Sequence, residues 1–331
     1  MKKSDFTEKV PLSIMTGAFG RYAAIIINTT GKSSVTDALS KLYPQSGYKI
    51  GITDASKEEL NEAIAICSAT GASIIVLGDD TLPDFRRVTP AVGFSTCLIS
   101  SGSYNGMPGN ILERLLSETS VKEFTHIAYQ QYKYDPAILN SLAERYFETL
   151  RLGLVRENIE SAEPLIRDRE YIFFDMNSIR YSDFPDNLEQ SPNGLYAEEA
   201  CTLARYIGMN QKMRVCYIFG FKPDTTPGSP SSQLAAEIIW HMAEGISASV
   251  NEDPSEGRDE YFQRKIISMG DEGQDLVFVT SSLSGRWWME IPEFRENRTK
   301  YVACSLSDYL CARNGEVPLR WILYFQKINP K

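Results

Sequence analysis

Short, continuous runs of apolar, mostly β-branched residues recur along this chain, separated by stretches with helical spacing. A strand with one face in water alternates apolar and polar residues, whereas an unbroken apolar run has both faces covered, as in a parallel sheet flanked by helices. Residues 22–28, 72–77, 171–174 and 215–219 are runs of this kind, and 48–52, 97–100, 126–129, 276–280 and 301–304 are further strand candidates. Between them, 34–42 has helical spacing. Ser56-Lys57-Glu58-Glu59 forms a capping box ahead of Leu60, Ala63, Ile64 and Cys67, and Gly71 stops that helix. Asp135-Pro136 opens a helix predicted to continue to Gly153, with Leu139, Leu142, Ala143, Tyr146 and Leu150 facing inward. Glu198 and Glu199 lie in the first turn of another, whose face is Ala200, Leu203, Ala204 and Ile207 and whose stop is Gly208. Helices over 231–244 and 307–313 complete the alternation. The pattern predicts one doubly wound α/β domain over 1–331, with 1–20 as a loosely ordered N-terminal segment.

A chain of 331 residues buries a large core. Its net charge of −9, without a basic patch, excludes a nucleic-acid surface and an anionic-membrane surface. The N-terminal residues carry no apolar signal region, and no apolar run approaches the ~20 residues that span a bilayer. The six cysteines (67, 97, 201, 216, 304, 311) form no Cys-x-x-Cys pair and read as buried thiols of a cytoplasmic protein. Loops rich in Pro, Gly and Ser at 222–230 and 250–258 do not separate regions of different composition.

Few constellations carry chemistry. Thr30-Gly31-Lys32-Ser33 follows the first strand and, with Asp79 and Asp80, has the outline of a nucleotide site. Ile26 stands where a phosphate loop needs its first glycine, so a turn and helix cap are the preferred reading, with Lys32 exposed. There are only two histidines, and His126 and His241 both read as packed side chains rather than ligands. The acidic pairs Asp79-Asp80 and Asp183-Asp186 fit caps in βα turns. Arg286-Trp287-Trp288-Met289-Glu290 fits either a ligand wall or, as preferred here, aromatics of a long loop packed over a core.

The segment Phe173-Phe174-Asp175-Met176-Asn177-Ser178-Ile179-Arg180, with Ser182-Asp183, resembles the Ser-Phe-Asp-x-Asp signature of the ureohydrolases, the arginase, agmatinase and formimidoylglutamase superfamily. The likeness is greatest to a formimidoylglutamase-like branch of Bacteroidetes type. It runs through Arg151-Leu152-Gly153, Glu163-Pro164 to Arg167, Ser191-Pro192-Asn193-Gly194-Leu195-Tyr196, Glu198-Glu199-Ala200-Cys201 and Ala204-Arg205-Tyr206-Ile207-Gly208-Met209. Trp240, Trp287-Trp288-Met289-Glu290 and Pro318-Leu319-Arg320-Trp321 continue it. The resemblance implies an arginase-like three-layer α/β/α sandwich around a mostly parallel, doubly wound sheet. It also implies a cleft at that sheet's C-terminal edge, where the superfamily holds two manganese ions.

At the positions the resemblance assigns to that cleft, this chain departs from the pattern. Gly78-Asp79-Asp80-Thr81 stands for Gly-Gly-x-His, Ser100-Ser101-Gly102-Ser103-Tyr104 for Asp-x-His-x-Asp, Asp175-Met176-Asn177 for Asp-x-Asp, and Gly220-Phe221-Lys222-Pro223 for Glu-x-Asn-Pro. Asp175 alone matches a ligand, joined by Asp183 or Asp79 if an ion visits. The vestigial cleft is then Asp79, Asp80, Thr81, Ser100, Gly102, Asp175, Asn177, Asp183 and Gly220. Two divalent ions need several anionic oxygens and imidazoles around them. The expectation is a catalytically silent ureohydrolase-like protein without a cofactor, retained to bind an unidentified protein partner or a small polar ligand. The alternative is an active hydrolase of a linear amidine or guanidino C–N bond, with manganese in a rearranged site of Asp79, Asp80, Asp175 and Asp183. Membership of this superfamily also implies a homo-oligomer.

Overall fold

The computed structural model describes residues 6–31, 34–44, 47–78, 93–102, 110–221, 226, 228–256, 259–270 and 274–330. Nine strands form one sheet: β1 (Thr7–Lys9), β2 (Ala24–Asn28), β3 (Ile50–Asp54), β4 (Ser73–Leu77), β5 (Phe94–Ile99), β6 (Val121–Tyr129), β7 (Glu148–Arg151), β8 (Tyr171–Asp175) and β9 (Val215–Phe219). Their order is β1-β3-β2-β4-β9-β8-β5-β6-β7, and each neighbouring pair is parallel. The chain builds outward to β4, resumes at β5, and returns later to fill the gap with β8 and β9. The C-terminal ends of β4 and β5 therefore diverge around β8 and β9, the crevice where open α/β sheets bind ligands. Asp175 ends β8 there, with Phe174 beside Ile99 of β5 and Asp175 beside Phe219 of β9.

Both faces of the sheet are covered, as the unbroken apolar runs require. Every residue of β2, β8 and β9 is buried. Ile75, Leu77, Cys97, Ile99, Ile172, Phe174, Cys216 and Ile218 pack into one cluster with the helices Ala197–Gly208 and Pro230–Ala248. The alternate residues Ile25, Ile27, Ile74, Val76, Leu98, Phe173 and Tyr217 point to the other face and are equally buried. The result is the three-layer α/β/α arrangement. The two long helices meet backbone to backbone. A Cβ on Gly208 would lie 1.9 Å from the Met242 carbonyl oxygen, and one on Gly245 would lie 2.4 Å from that of Arg205. Gly208 is thus a crossing point as well as the end of its helix.

Several segments differ from the sequence expectation. The helix after Asp135 ends at Glu144, Tyr146 takes a left-handed φ of 54°, and 148–151 becomes the edge strand β7. The cause is a buried cation. Arg169 is 2% exposed and donates to Glu148 of β7 (2.9 Å), to Glu123 of β6, and to the Thr125 hydroxyl and Leu165 carbonyl. That long-range pairing overrides the local helical pattern. Within the segment expected to be loosely ordered, 7–9 form β1 against β3, and Phe6, Val10, Met15 and Ala18 are buried.

Contacts divide the chain, read above as a single domain over 1–331, into two compact units: Met1–Ser141 with Phe147–Ser249, and Leu142–Tyr146 with Val250–Lys331. The second contains an antiparallel sheet, β10 (Phe262–Ile267), β11 (Leu276–Ser281), β12 (Trp287–Glu293) and β13 (Arg298–Cys304), in that order. Its core joins Leu276, Phe278, Met289, Ile291, Val302 and Cys304 to Trp321 and Tyr324 of the helix Leu319–Ile328. The strand at 298–304 and the helix Leu306–Arg313 therefore belong with this sheet and do not close the parallel one. Trp287 and Trp288 lie in a strand, not a loop. Trp288 is buried edge-on against Phe262, and Trp287 stacks on Tyr309. Pro292 obscured this strand, but β11 pairs only with 287–289, so the proline sits where β12 has a single neighbour. All six cysteines are free thiols, five of them buried and Cys311 partly exposed. No helix among the described residues is long and apolar enough to cross a membrane.

Gly208→Ala is expected to lower the unfolding free energy by about 1–3 kcal/mol, because the added methyl has only backbone to displace. Gly153→Ala, at an exposed helical position with no atom within 4 Å of the new Cβ, is expected to leave it unchanged or raise it by up to about 1 kcal/mol. Urea titration of the two variants measures the contrast.

Candidate functional site

Asp175 is 1% exposed and caps a single 3-10 turn, Met176–Ser178. Its Oδ1 accepts from the Asn177 backbone N–H at 2.9 Å and from the Asn177 side-chain Nδ2 at 3.0 Å. The other end of that side chain is also committed, since Oδ1 of Asn177 accepts from the backbone N–H groups of Leu188 (2.6 Å) and Glu189 (3.1 Å). Two donors on one end and a carboxylate on the other fix which end is oxygen. The amide therefore turns its donor toward Asp175 and its acceptor away. Gly220 makes room for the pair. At φ 82° its backbone comes so close that a Cβ would lie 2.0 Å from the Asp175 Oδ1.

Beside this pair, the loop after β5 brings Ser100, Ser101 and Gly102. Ser100 is fully buried, with Oγ 3.0 Å from Nε2 of His126, and the Tyr134 hydroxyl lies 2.9 Å from Nδ1 of the same ring. His126 lies near the end of β6, opposite Leu98 of β5. Burial pushes the imidazole down to about 3, against a smaller raising influence from the Ser100 backbone, so the ring is neutral at ordinary pH. At Gly102, which the resemblance aligns with an imidazole, the ring of Tyr134 fills the space. A Cβ there would fall 1.7 Å from its Cε2, and φ is 93°.

Behind them lies a partly buried ion pair. Lys133 Nζ is 3.1 Å from Glu189 Oε2 and donates to the hydroxyls of Ser101 and Ser191, both at 3.2 Å. Ser101 also donates to Glu189 at 3.2 Å. A β-bulge at the end of β6, where Ala128 takes φ 67°, redirects the chain so that 130–134 folds over this edge. Sequence reasoning missed Lys133, Tyr134 and Glu189, and had Ser101 only as part of the segment after β5. The available signal was the polar-aromatic run Tyr129-Gln130-Gln131-Tyr132-Lys133-Tyr134 between a buried strand and a helix.

Thus Ser100, Gly102, Asp175, Asn177 and Gly220 do gather at the C-terminal ends of β5, β8 and β9. Asp183 is occupied otherwise. Its carboxylate accepts from Arg180 (2.7 Å), the Ser182 hydroxyl (3.0 Å) and the Ala197 N–H (3.0 Å) that opens the next helix. Burial works to raise its pKa, but those three bonds together hold it below the ordinary carboxylate range. Asp79, Asp80 and Thr81 lie outside the described residues, as do Lys32, Ser33, Lys222 and Pro223. Before Lys32, Asn28 accepts from the Thr30 N–H and hydroxyl, a turn of the kind expected there. His241 is half-buried on its helix, edge-on to Trp240. Among the described residues, no group of three or more His, Cys, Asp or Glu side chains is placed to hold a metal ion. The described residues of the cleft do not fit a pair of divalent ions, since the amide oxygen that would face them accepts two backbone hydrogen bonds instead.

No protein-family model matches the chain, and no curated protein matches its sequence. Its fold has counterparts among solved structures. Formiminoglutamase of Trypanosoma cruzi with two Mn²⁺ matches at TM-score 0.59 and 19% identity, over 71% of this chain and 98% of that one. Formimidoylglutamase of Bacillus subtilis matches at 0.60 and 17%, over 75% and 92%. Arginase of Medicago truncatula matches at 0.53 and 13%, over 71% and 90%. The expected arginase-like α/β fold is therefore the fold of this chain, at sequence identities of 13–19% to these three structures.

The neutral His126 has a consequence for pH. Its folded pKa lies below the unfolded value near 6.5, so its stabilising share is complete above pH ~6.5 and is lost as pH falls toward 3. In urea titrations from pH 7 to 5, the stability advantage of the native protein over His126→Gln is expected to shrink below pH 6.5 by up to about 1.4 kcal/mol per pH unit. An advantage that stays constant with pH would mean that His126 takes up a proton in the folded state.

Proposed function

We propose that this chain is a catalytically silent protein of ureohydrolase fold, retained for binding a protein partner or a small polar ligand. The observation that carries this reading is the closure of Asn177 onto Asp175. Where the resemblance expects two carboxylates facing shared cations, an N–H···O bond of 3.0 Å joins the two side chains directly. Without bound metal, a water molecule keeps a pKa too high to attack an amidine or guanidinium carbon at neutral pH. The reading takes the protein as cytoplasmic, in line with its free thiols, and as a homo-oligomer, in line with the resemblance.

The test is elemental analysis after dialysis against chelator and then against Mn²⁺, paired with assays for release of glutamate, formamide or urea from formiminoglutamate, arginine and agmatine. The expected result is no tightly held manganese pair and no turnover. Two retained ions with steady product release would restore the alternative, a hydrolase acting through Asp79, Asp80, Asp175 and Asp183. Asn177→Asp sharpens the test, because it sets a second carboxylate against the first and removes the donor between them. We expect this variant to melt several degrees lower than the native protein in chelator, and to recover part of that loss in millimolar Mn²⁺, which leaves the native protein unchanged.

A further inference from the structure

The resident cation of this sheet edge, we propose, is the Lys133 ammonium, which fastens together the three loops that follow β5, β6 and β8. The inference rests on the silent reading of the site and adds what holds the site in shape. Three acceptors surround Nζ, drawn from two other loops: Ser101 Oγ after β5 (3.2 Å), and Glu189 Oε2 (3.1 Å) and Ser191 Oγ (3.2 Å) in the loop after β8. Lys133 itself belongs to the loop after β6. An ammonium has three N–H donors and no acceptor, so this set satisfies it completely. The pair is withdrawn from solvent, with side-chain exposures of 16% for Lys133 and 20% for Glu189.

The connection to Asp175 is continuous. The residue that carries the counter-charge, Glu189, also donates its backbone N–H to Asn177 at 3.1 Å, and Asn177 donates to Asp175. One positive charge thus positions the loop that orients the amide that satisfies the buried carboxylate. A divalent ion at converging strand ends does comparable work through carboxylate oxygens, drawing several loops to one point. Here the point is made by a covalently attached cation that neither chelation nor dialysis removes. Removing one partner of such a pair leaves the other charged and unmatched.

Lys133→Ala tests the proposal through thermal melting and hydrogen exchange of the native chain and the variant. We expect the midpoint to fall by about 5 °C, with faster amide exchange at 100–102 and 187–193. Methylammonium chloride at tens of millimolar is expected to restore at least half of the lost midpoint, while equal ionic strength of NaCl restores none. The same salts should leave the native protein unchanged. An unchanged midpoint and exchange pattern in Lys133→Ala, or recovery in NaCl equal to that in methylammonium, overturns the proposal. Should that variant not fold, Lys133→Met combined with Glu189→Gln decides. A folded double variant, more stable than either single one, supports the pair as a charge device, and a double variant no better than Lys133→Met overturns it. Manganese-dependent melting of the native protein would sink the silent reading itself; failure of the lysine variants alone would not.

Discussion

A carboxylate enclosed at the end of a parallel strand must find hydrogen-bond donors inside the protein, and much of this sheet edge follows from that requirement. Asp175 is buried on every side by the strands next to it, so water is not its solvent. The nearest donors come from its own chain two residues on, which forces a tight 3-10 turn directly after β8. That turn puts the Asn177 amide against Asp175 and leaves no room for a side chain at 220. The amide oxygen then needs donors of its own, and takes them from 188 and 189. Each satisfied group therefore dictates the placement of the next.

Among the described residues, the consequence is a site whose polar groups satisfy one another. Tyr134 occupies the space beside Gly102, His126 is neutral and bonded through both ring nitrogens, and Ser100 and Ser101 are fully buried. Polar clusters of this type discriminate between conformations, because a half-satisfied version is worse than an apolar one.

What could be read from the residues alone follows the range of the forces involved. The continuous apolar runs at 22–28, 72–77, 171–174 and 215–219 became β2, β4, β8 and β9, because burial on both faces leaves its mark within each segment. The capping box at Ser56 and Glu59 formed as its spacing demands, with reciprocal bonds of 2.9 and 3.3 Å. Asp175 was found at a central strand end because the strand and the carboxylate are adjacent in sequence. Lys133 and Glu189 stand 56 residues apart, and nothing local in either marks it as half of a pair. The strand β7 was hidden for the same reason, since its anchor Arg169 lies 21 residues beyond Glu148. The antiparallel sheet escaped notice because Pro292 interrupts the strand signal, although one of its edges tolerates proline.

The large sheet ends in two very short strands, β1 with three residues and β7 with four. An edge strand offers unpaired backbone groups to any extended chain that meets it, and a long flat edge is an invitation to polymerise. On β7 the inward-facing Glu148 adds a second safeguard. A foreign strand that displaced this one would remove one of the two carboxylates paired with the buried Arg169 and would have to replace it at that register. The ion pair that anchors the edge therefore also works as a selective latch, penalising intruding strands that lack the matching acid.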